Sequence, residues 1–169
     1  EEKISMLDNK IKRYNLADLD VAYPSGKTLK GYDVAGTEYF QSALQGITYI
    51  SSPIGDSGEQ SVFVAAPVWK NGVYSSEVTG VVFKRLSGNF FSDIVKNIQI
   101  GETGSAYILN ENGTTIAHKD NNVVENQTNL INTENMDPGL LELSEIAKSA
   151  VGGEAVSGEY TYGGAAKIV

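Results

Sequence analysis

The chain has no cysteine and one histidine, His118, among its 169 residues. The first absence excludes disulfides and thiolate metal sites. It suits an exported domain with no redox liability, without fixing a compartment. The second leaves no His-x-x-x-His pair, and no Gly-x-Ser-x-Gly elbow supplies a nucleophile for His118 to serve. A triad needs nucleophile, base and orienting acid together, so His118 is read as a strand-end structural residue. Lys and Arg total 13 against 21 Asp and Glu, for a net charge of −8. The cations are scattered, so no basic stripe exists to displace counterions and nucleic acid is excluded as a partner. No apolar run reaches the roughly 20 residues of a membrane-crossing helix. No signal peptide is visible, and helical text begins at Glu1, so the chain is expected to be a segment of a longer protein. Gly101-Glu102-Thr103-Gly104 lacks the Lys-Ser/Thr of a phosphate loop, and the Asn- and Asp-rich turns lack the alternating ligands of a calcium loop. No catalytic residue, metal ligand or cofactor is expected, and the chain is not expected to be an enzyme.

What is present is an ordinary apolar fraction of 41% in clear periodic blocks. Ile4, Leu7, Ile11 and Tyr14 recur at spacings of three and four, one stripe on a helix over residues 1–16. Leu19, Val21 and Tyr23 alternate as a strand, Pro24-Ser25-Gly26 turns the chain, and Lys27–Lys30 returns it as a second strand. Glu38–Gln45 is a short helix ended by Gly46. Ile47–Ser51 is a strand, and Ser61–Trp69 and Val78–Leu86 are two long ones. Phe90, Phe91, Ile94, Val95 and Ile98 lie on one face of a helix that Ser87 or Asn89 would cap. A hairpin of Ala106–Leu109 with Thr114–His118 follows, around Asn112-Gly113. Asn121–Asn135 reads as loop, and Asp137-Pro138 starts a helix carrying Leu140, Leu143, Ile146, Ala147 and Ala150. Two strands about Gly163-Gly164 finish the chain.

A weak internal repeat runs through this order. Val21-Ala-Tyr-Pro-Ser-Gly-Lys-Thr-Leu29 resembles Ile108-Leu-Asn-Glu-Asn-Gly-Thr-Thr-Ile116, with Gly26 aligned on Gly113. A period of this size indicates a duplicated domain.

The whole chain resembles the double Cache family of bacterial extracytoplasmic sensor domains. The carriers are Glu38–Gly46, Val62–Val68, Thr79–Val82, Ile100–Gly104 and Tyr107–His118, in that order and at those spacings. The resemblance implies an α+β fold: an N-terminal helix followed by two tandem PAS-like modules with antiparallel sheets, the second incomplete at its C-terminus. The expected divisions are the end of a long helix over 1–16, a membrane-distal ligand-binding module over 17–88, a connecting helix over 89–99 and a membrane-proximal module over 100–169. The implied function is sensing of a small molecule outside the cell membrane, with anchoring segments beyond this chain. Methyl-accepting chemotaxis receptors are the commonest bearers; histidine kinases and cyclic-di-GMP enzymes are the alternative. A third reading is an interaction module that forms a homodimer through the N-terminal helix.

Amino-acid-binding members of the family look for Tyr, then Arg, then an aromatic pair, then a Tyr and acidic residues. On this chain those positions fall on Tyr32, Thr37, Tyr39 with Phe40, Ile54 and Asp56. Thr37 replaces the Arg, and a hydroxyl cannot give a carboxylate two parallel charge-assisted bonds. Arg85 would supply that charge if it shares the face. The expected site is therefore an aromatic box of Tyr32, Tyr39, Phe40, Tyr49 and Phe63 with Asp33 and Asp56. Aromatic faces beside a carboxylate suit an ammonium group, so an amine, an amino acid or another small metabolite is the expected ligand. Phe40 and Phe63 also fit plain core positions.

Overall fold

The computed structural model describes residues 2–14, 16, 18–55, 60–134 and 136–169. It divides into two compact units, residues 1–88 and 89–169.

In the first unit, helix α1 (Glu2–Tyr14) carries the expected stripe, but Leu7 is its one buried side chain. Ile4 and Tyr14 are exposed, as is Met6. The Lys3 ammonium sits 5.1 Å from the centre of the Tyr23 ring. Strand β1 (Leu19–Ala22) follows, then helix α2 (Glu38–Leu44), strand β2 (Tyr49–Ile50), and the long strands β3 (Ser61–Trp69) and β4 (Val78–Ser87). They form one antiparallel sheet in the order β1-β4-β3-β2. The runs Val62-Phe63-Val64 and Val81-Val82, aromatic and β-branched, explain why the two central strands are the long ones. The core lies where α2 meets the sheet: Tyr39, Phe40 and Ala43 pack on Ala22, Ala65, Val81 and Phe83, with Val34.

Two expectations change here. Lys27–Lys30 does not form a strand; it makes only isolated bridges, Ala22 with Thr28 and Lys27 with Asp33. The alternation in β1 is also opposite to its apolar pattern. Asp20 and Ala22 are buried while Leu19 and Val21 are half-exposed, because cross-strand pairing sets Asp20 and Ala22 beside Phe83 and Val81 under α2.

In the second unit, helix α3 is shorter than its apolar text, Phe90–Val95. Its buried residues are Ser92 and Val95, whereas Ile94 and Ile98 are exposed. Ser92 is drawn inward because its hydroxyl accepts the His118 N–H at 3.3 Å. Asn89 is the N-cap residue but makes no side-chain cap bond. A two-residue hairpin of β5 (Gln99–Ile100) and β6 (Gly104–Ser105) precedes the expected hairpin, β7 (Ile108–Leu109) with β8 (Thr115–Ala117). Helix α4 (Asn121–Glu125) stands where loop was expected, capped by Asp120 accepting the Asn122 N–H. A 3-10 turn at Pro138–Leu140, capped by Asp137, leads into helix α5 (Leu141–Val151). Strands β9 (Glu159–Tyr162) and β10 (Ala165–Ile168) end the chain as a two-stranded ribbon. Leu130, Leu143 and Ala147 form the local core, joined by Tyr107, Leu109 and Tyr160.

The repeat is real at the level of hydrogen bonds. Tyr23 N–H donates to Lys27 O at 2.9 Å, and Asn110 N–H to Thr114 O at 2.9 Å. The Gly26 and Gly113 carbonyls accept from Val34 and Leu130, each at 2.9 Å, and both of those side chains are core. Gly26 has φ +85° and Gly113 φ +76°. A Cβ at either would stand 2.4 Å from the Ala35 Cβ or 2.5 Å from Ile131 Cγ1. Only glycine meets both requirements.

Candidate ligand-binding site

Period-two alternation and register assemble one face of the first unit's sheet. Phe63, Ala65 and Pro67 of β3 stand opposite Arg85, Phe83 and Val81 of β4. Asp20 of β1 stands beside Phe83, and Tyr49 of β2 beside Ala65. Directly opposed residues in an antiparallel pair share a face, so all of these lie on the side covered by α2. Arg85 therefore belongs to the same face as Phe63, which the sequence left open.

The Tyr39 ring lies flat on Phe63, with centroids 4.7 Å apart and planes 2° from parallel. It meets Phe83 at 5.4 Å and 41°. Burial pushes the Tyr39 phenol up from its ordinary value; a hydrogen bond with the Thr37 side chain opposes this, and the charge of Asp20 adds to it. The phenol therefore stays protonated and a donor across the physiological range. Thr37 precedes α2 and its hydroxyl donates to the Val34 carbonyl at 2.8 Å. It shapes the turn into α2. At the far end of the face Arg85 Nη2 is 3.8 Å from Asp18 Oδ2, with both side chains more than half exposed. That separation exceeds hydrogen-bond range, and so exposed a pair contributes little. The Ser51 hydroxyl is buried and accepts the Phe63 N–H at 2.9 Å, locking the strand position beneath the stacked rings.

The expected residues divide accordingly. Tyr39, Phe63, Tyr49 and Arg85 come together on this face. Phe40, 1% exposed, is core. Tyr32 is 67% exposed, with its N–H bonded to Thr28 Oγ1. Asp33 pairs with Lys27 at 2.9 Å and accepts the Ala35 N–H at 3.0 Å, a turn arrangement on the surface. Those two bonds hold its carboxyl below the usual range: the Lys27 hydrogen bond contributes most, then the Ala35 N–H, then the Lys27 charge. Asp56 lies outside the described residues. Sequence reasoning did not place Asp20 on this face; it is 4% exposed and stands across from Phe83. The signal was its alternation with Ala22, obscured by the more apolar set Leu19, Val21 and Tyr23.

Elsewhere the titratable groups point to no chemistry of their own. Among the described residues, no group of three or more His, Asp or Glu is placed to hold a metal. His118 Nδ1 accepts the Asp120 N–H at 3.0 Å, a local turn contact. No helix among the described residues is long and apolar enough to cross a membrane.

Comparison with known proteins gives three kinds of result. The family model described as Cache domain matches residues 1–169. No curated protein matches. Several solved structures share the fold. The extracellular domain assigned to the histidine kinase mmHK1S-Z2 is 14% identical with a TM-score of 0.65, the match covering 99% of this chain and 74% of that one. The ligand-binding domain of the Campylobacter jejuni chemoreceptor Tlp3, in complex with 4-methylisoleucine, is 11% identical with a TM-score of 0.60, over 94% and 61%. That of the Pseudomonas aeruginosa PAO1 amino acid chemoreceptor PctC, in complex with GABA, is 17% identical with a TM-score of 0.55, over 89% and 64%. The chain thus spans about three fifths of the length of each chemoreceptor domain and three quarters of the kinase domain.

Proposed function

We propose, from the premise that this chain belongs to the Cache domain family over residues 1–169, that it is the extracytoplasmic sensor of a transmembrane chemoreceptor. The first unit binds a small molecule and the second passes the change toward the membrane. The observation that carries this reading is the Tyr39–Phe63 stack on the sheet face, bordered by Arg85. Stacked aromatic walls with a few polar groups at their margin are the usual make-up of a small-ligand site. The amino acid derivatives named for Tlp3 and PctC support the same ligand size.

Signalling would proceed by population shift: a ligand that favours one setting of α2 and α1 over the sheet biases the segments that follow. The residues present favour an amine or other small metabolite over an α-amino acid held in a bidentate grip, because Thr37 offers a hydroxyl already used by Val34. Isothermal titration of the chain against amines, amino acids, carboxylates and purines tests the reading. Saturable binding by one class is expected, and silence from all four would sink direct sensing.

The likeness to a kinase domain favours a second output, in which the same sensor feeds a histidine kinase. Fusing the native flanking segments to a chemotaxis or a kinase signalling domain, and assaying each with the identified ligand, separates the two.

A further inference from the structure

We propose that Asn71 is a site of spontaneous deamidation in the folded first unit, and that the fold shields the chain's other Asn-Gly pair, Asn112-Gly113, from the same reaction. The proposal is independent of what the domain senses.

The chemistry needs only water. The main-chain nitrogen of the residue after an asparagine attacks the side-chain Cγ. The new C–N bond closes a five-membered imide, and the side-chain nitrogen leaves as ammonia. One water then opens either imide carbonyl, giving aspartate or isoaspartate. Glycine in second place favours the attack, because it has no Cβ in the way and rotates freely. Positions 71–72 and 112–113 are the two places where the sequence offers this pair. Their surroundings are opposite. Lys70, Asn71 and Gly72 are all exposed, and Asn71 holds a left-handed φ of +55° at a kink in a short 3-10 turn. Val73 N–H and the Ser76 hydroxyl donate to the Lys70 carbonyl at 3.1 and 3.2 Å, and Lys70 Nζ pairs with Glu77. These bonds close within residues 70–77, and the Asn71 side chain takes part in none of them. A segment held so locally at the surface opens readily, and opening lets the Gly72 nitrogen swing beneath the Asn71 Cγ. Asn112-Gly113 is tied to distant chain instead. The Asn112 carbonyl accepts from Asn129 Nδ2 at 2.7 Å, and the Gly113 carbonyl from the Leu130 N–H at 2.9 Å. The Gly113 N–H donates to the Asn110 carbonyl at 2.9 Å, and Gly113 is itself buried. The imide forms there only after this turn has parted from Leu130, a core residue. Isoaspartate at position 71 adds a methylene to the main chain between β3 and β4. That is two residues from Trp69, the one tryptophan, whose ring meets Tyr74 edge-on at 5.4 Å.

The test ages the 169-residue chain in mildly alkaline buffer and follows both peptides by mass spectrometry. Isoaspartate is labelled with protein isoaspartyl methyltransferase and tritiated S-adenosylmethionine. Conversion at Asn71 should run at least tenfold faster than at Asn112, a comparison within one unaltered chain that needs no variant to fold. In urea that unfolds the chain the two rates should converge, because neither pair then keeps its surroundings. Asn71→Gln should remove the label from the β3–β4 connection. On ageing, Trp69 emission should shift in the parent and hold steady in Asn71→Gln. Equal rates in the folded chain, or a faster reaction at Asn112, overturn the assignment. A difference that persists in urea overturns the role given to the fold. Steady Trp69 emission in the parent while label accumulates overturns the effect on the connection.

Discussion

Tyr39 and Phe63 meet in one flat contact on the α2-covered face. Each also belongs to the α2–sheet core, so the proposed binding surface and the stability of the first unit rest on the same two rings. Truncating either to Ala should cost about 3–5 kcal/mol by loss of buried area and the cavity left behind. A double-mutant cycle by urea unfolding should show the two losses to be coupled by about 0.5–1.5 kcal/mol, the usual worth of an aromatic pair beyond its area. Additive losses would show that the stacking contributes nothing of its own. Asp33 offers an electrostatic check on the same unit. Its folded pKa is depressed by Lys27 and the Ala35 N–H, so its contribution is present above the ordinary carboxylate range and fades as pH falls through the folded value. In Lys27→Ala the Asp33 carboxyl should titrate at higher pH, read by ¹³C NMR, with little change in melting at neutral pH because the pair is exposed. Residue placement was only partly legible. Tyr39, Phe63 and Tyr49 were named from type and position. Asp20 was not, because burial in a strand follows the partner strand's register, and Leu19 and Val21 made the opposite face look like the inward one. Arg85 could be given a face only once Phe63 was seen opposite it.

At the level of elements, the long strands and helix α2 were legible almost to the residue. Ser61–Trp69 was expected and found, and Glu38–Leu44 needed only its last residue trimmed. Such runs carry their own periodicity. The short pieces did not: β5, β6 and α4 hold too few residues for a pattern. Helix α3 was mis-phased because Ser92 is held inward by a hydrogen bond to His118 that no local pattern reveals. The repeated glycine turns give a prediction at this scale. Gly113→Ala forces a left-handed φ on a residue with a Cβ and drives that Cβ into Ile131. It should destabilise by more than about 1 kcal/mol, and hydrogen exchange should quicken at Leu130 and Thr114 while β3 and β4 keep their protection. Uniform loss of protection across both units would show that they do not unfold separately.

The architecture as a whole was legible as α+β with an N-terminal helix and two sheet-bearing modules, from the order of elements and the family resemblance together. Less visible was how unequal the two units are in sheet. The first has four connected strands, whereas among the described residues the second has three separate two-stranded ribbons. The last of these, β9 with β10, has a consequence for handling the purified protein. Every residue of Ala165–Ile168 is exposed, and Ile168 is 79% exposed. Among the described residues β10 pairs with β9 alone, and in the 169-residue chain taken by itself such an edge invites the same segment of another molecule to add to it. Concentrated samples should therefore thicken through strand-to-strand growth, seen as rising light scattering and thioflavin signal over days. Ala166→Lys, which places a charge on that ribbon, should keep samples clear without lowering the melting temperature of the chain. If it clouds at the same rate as the parent, the growth starts elsewhere.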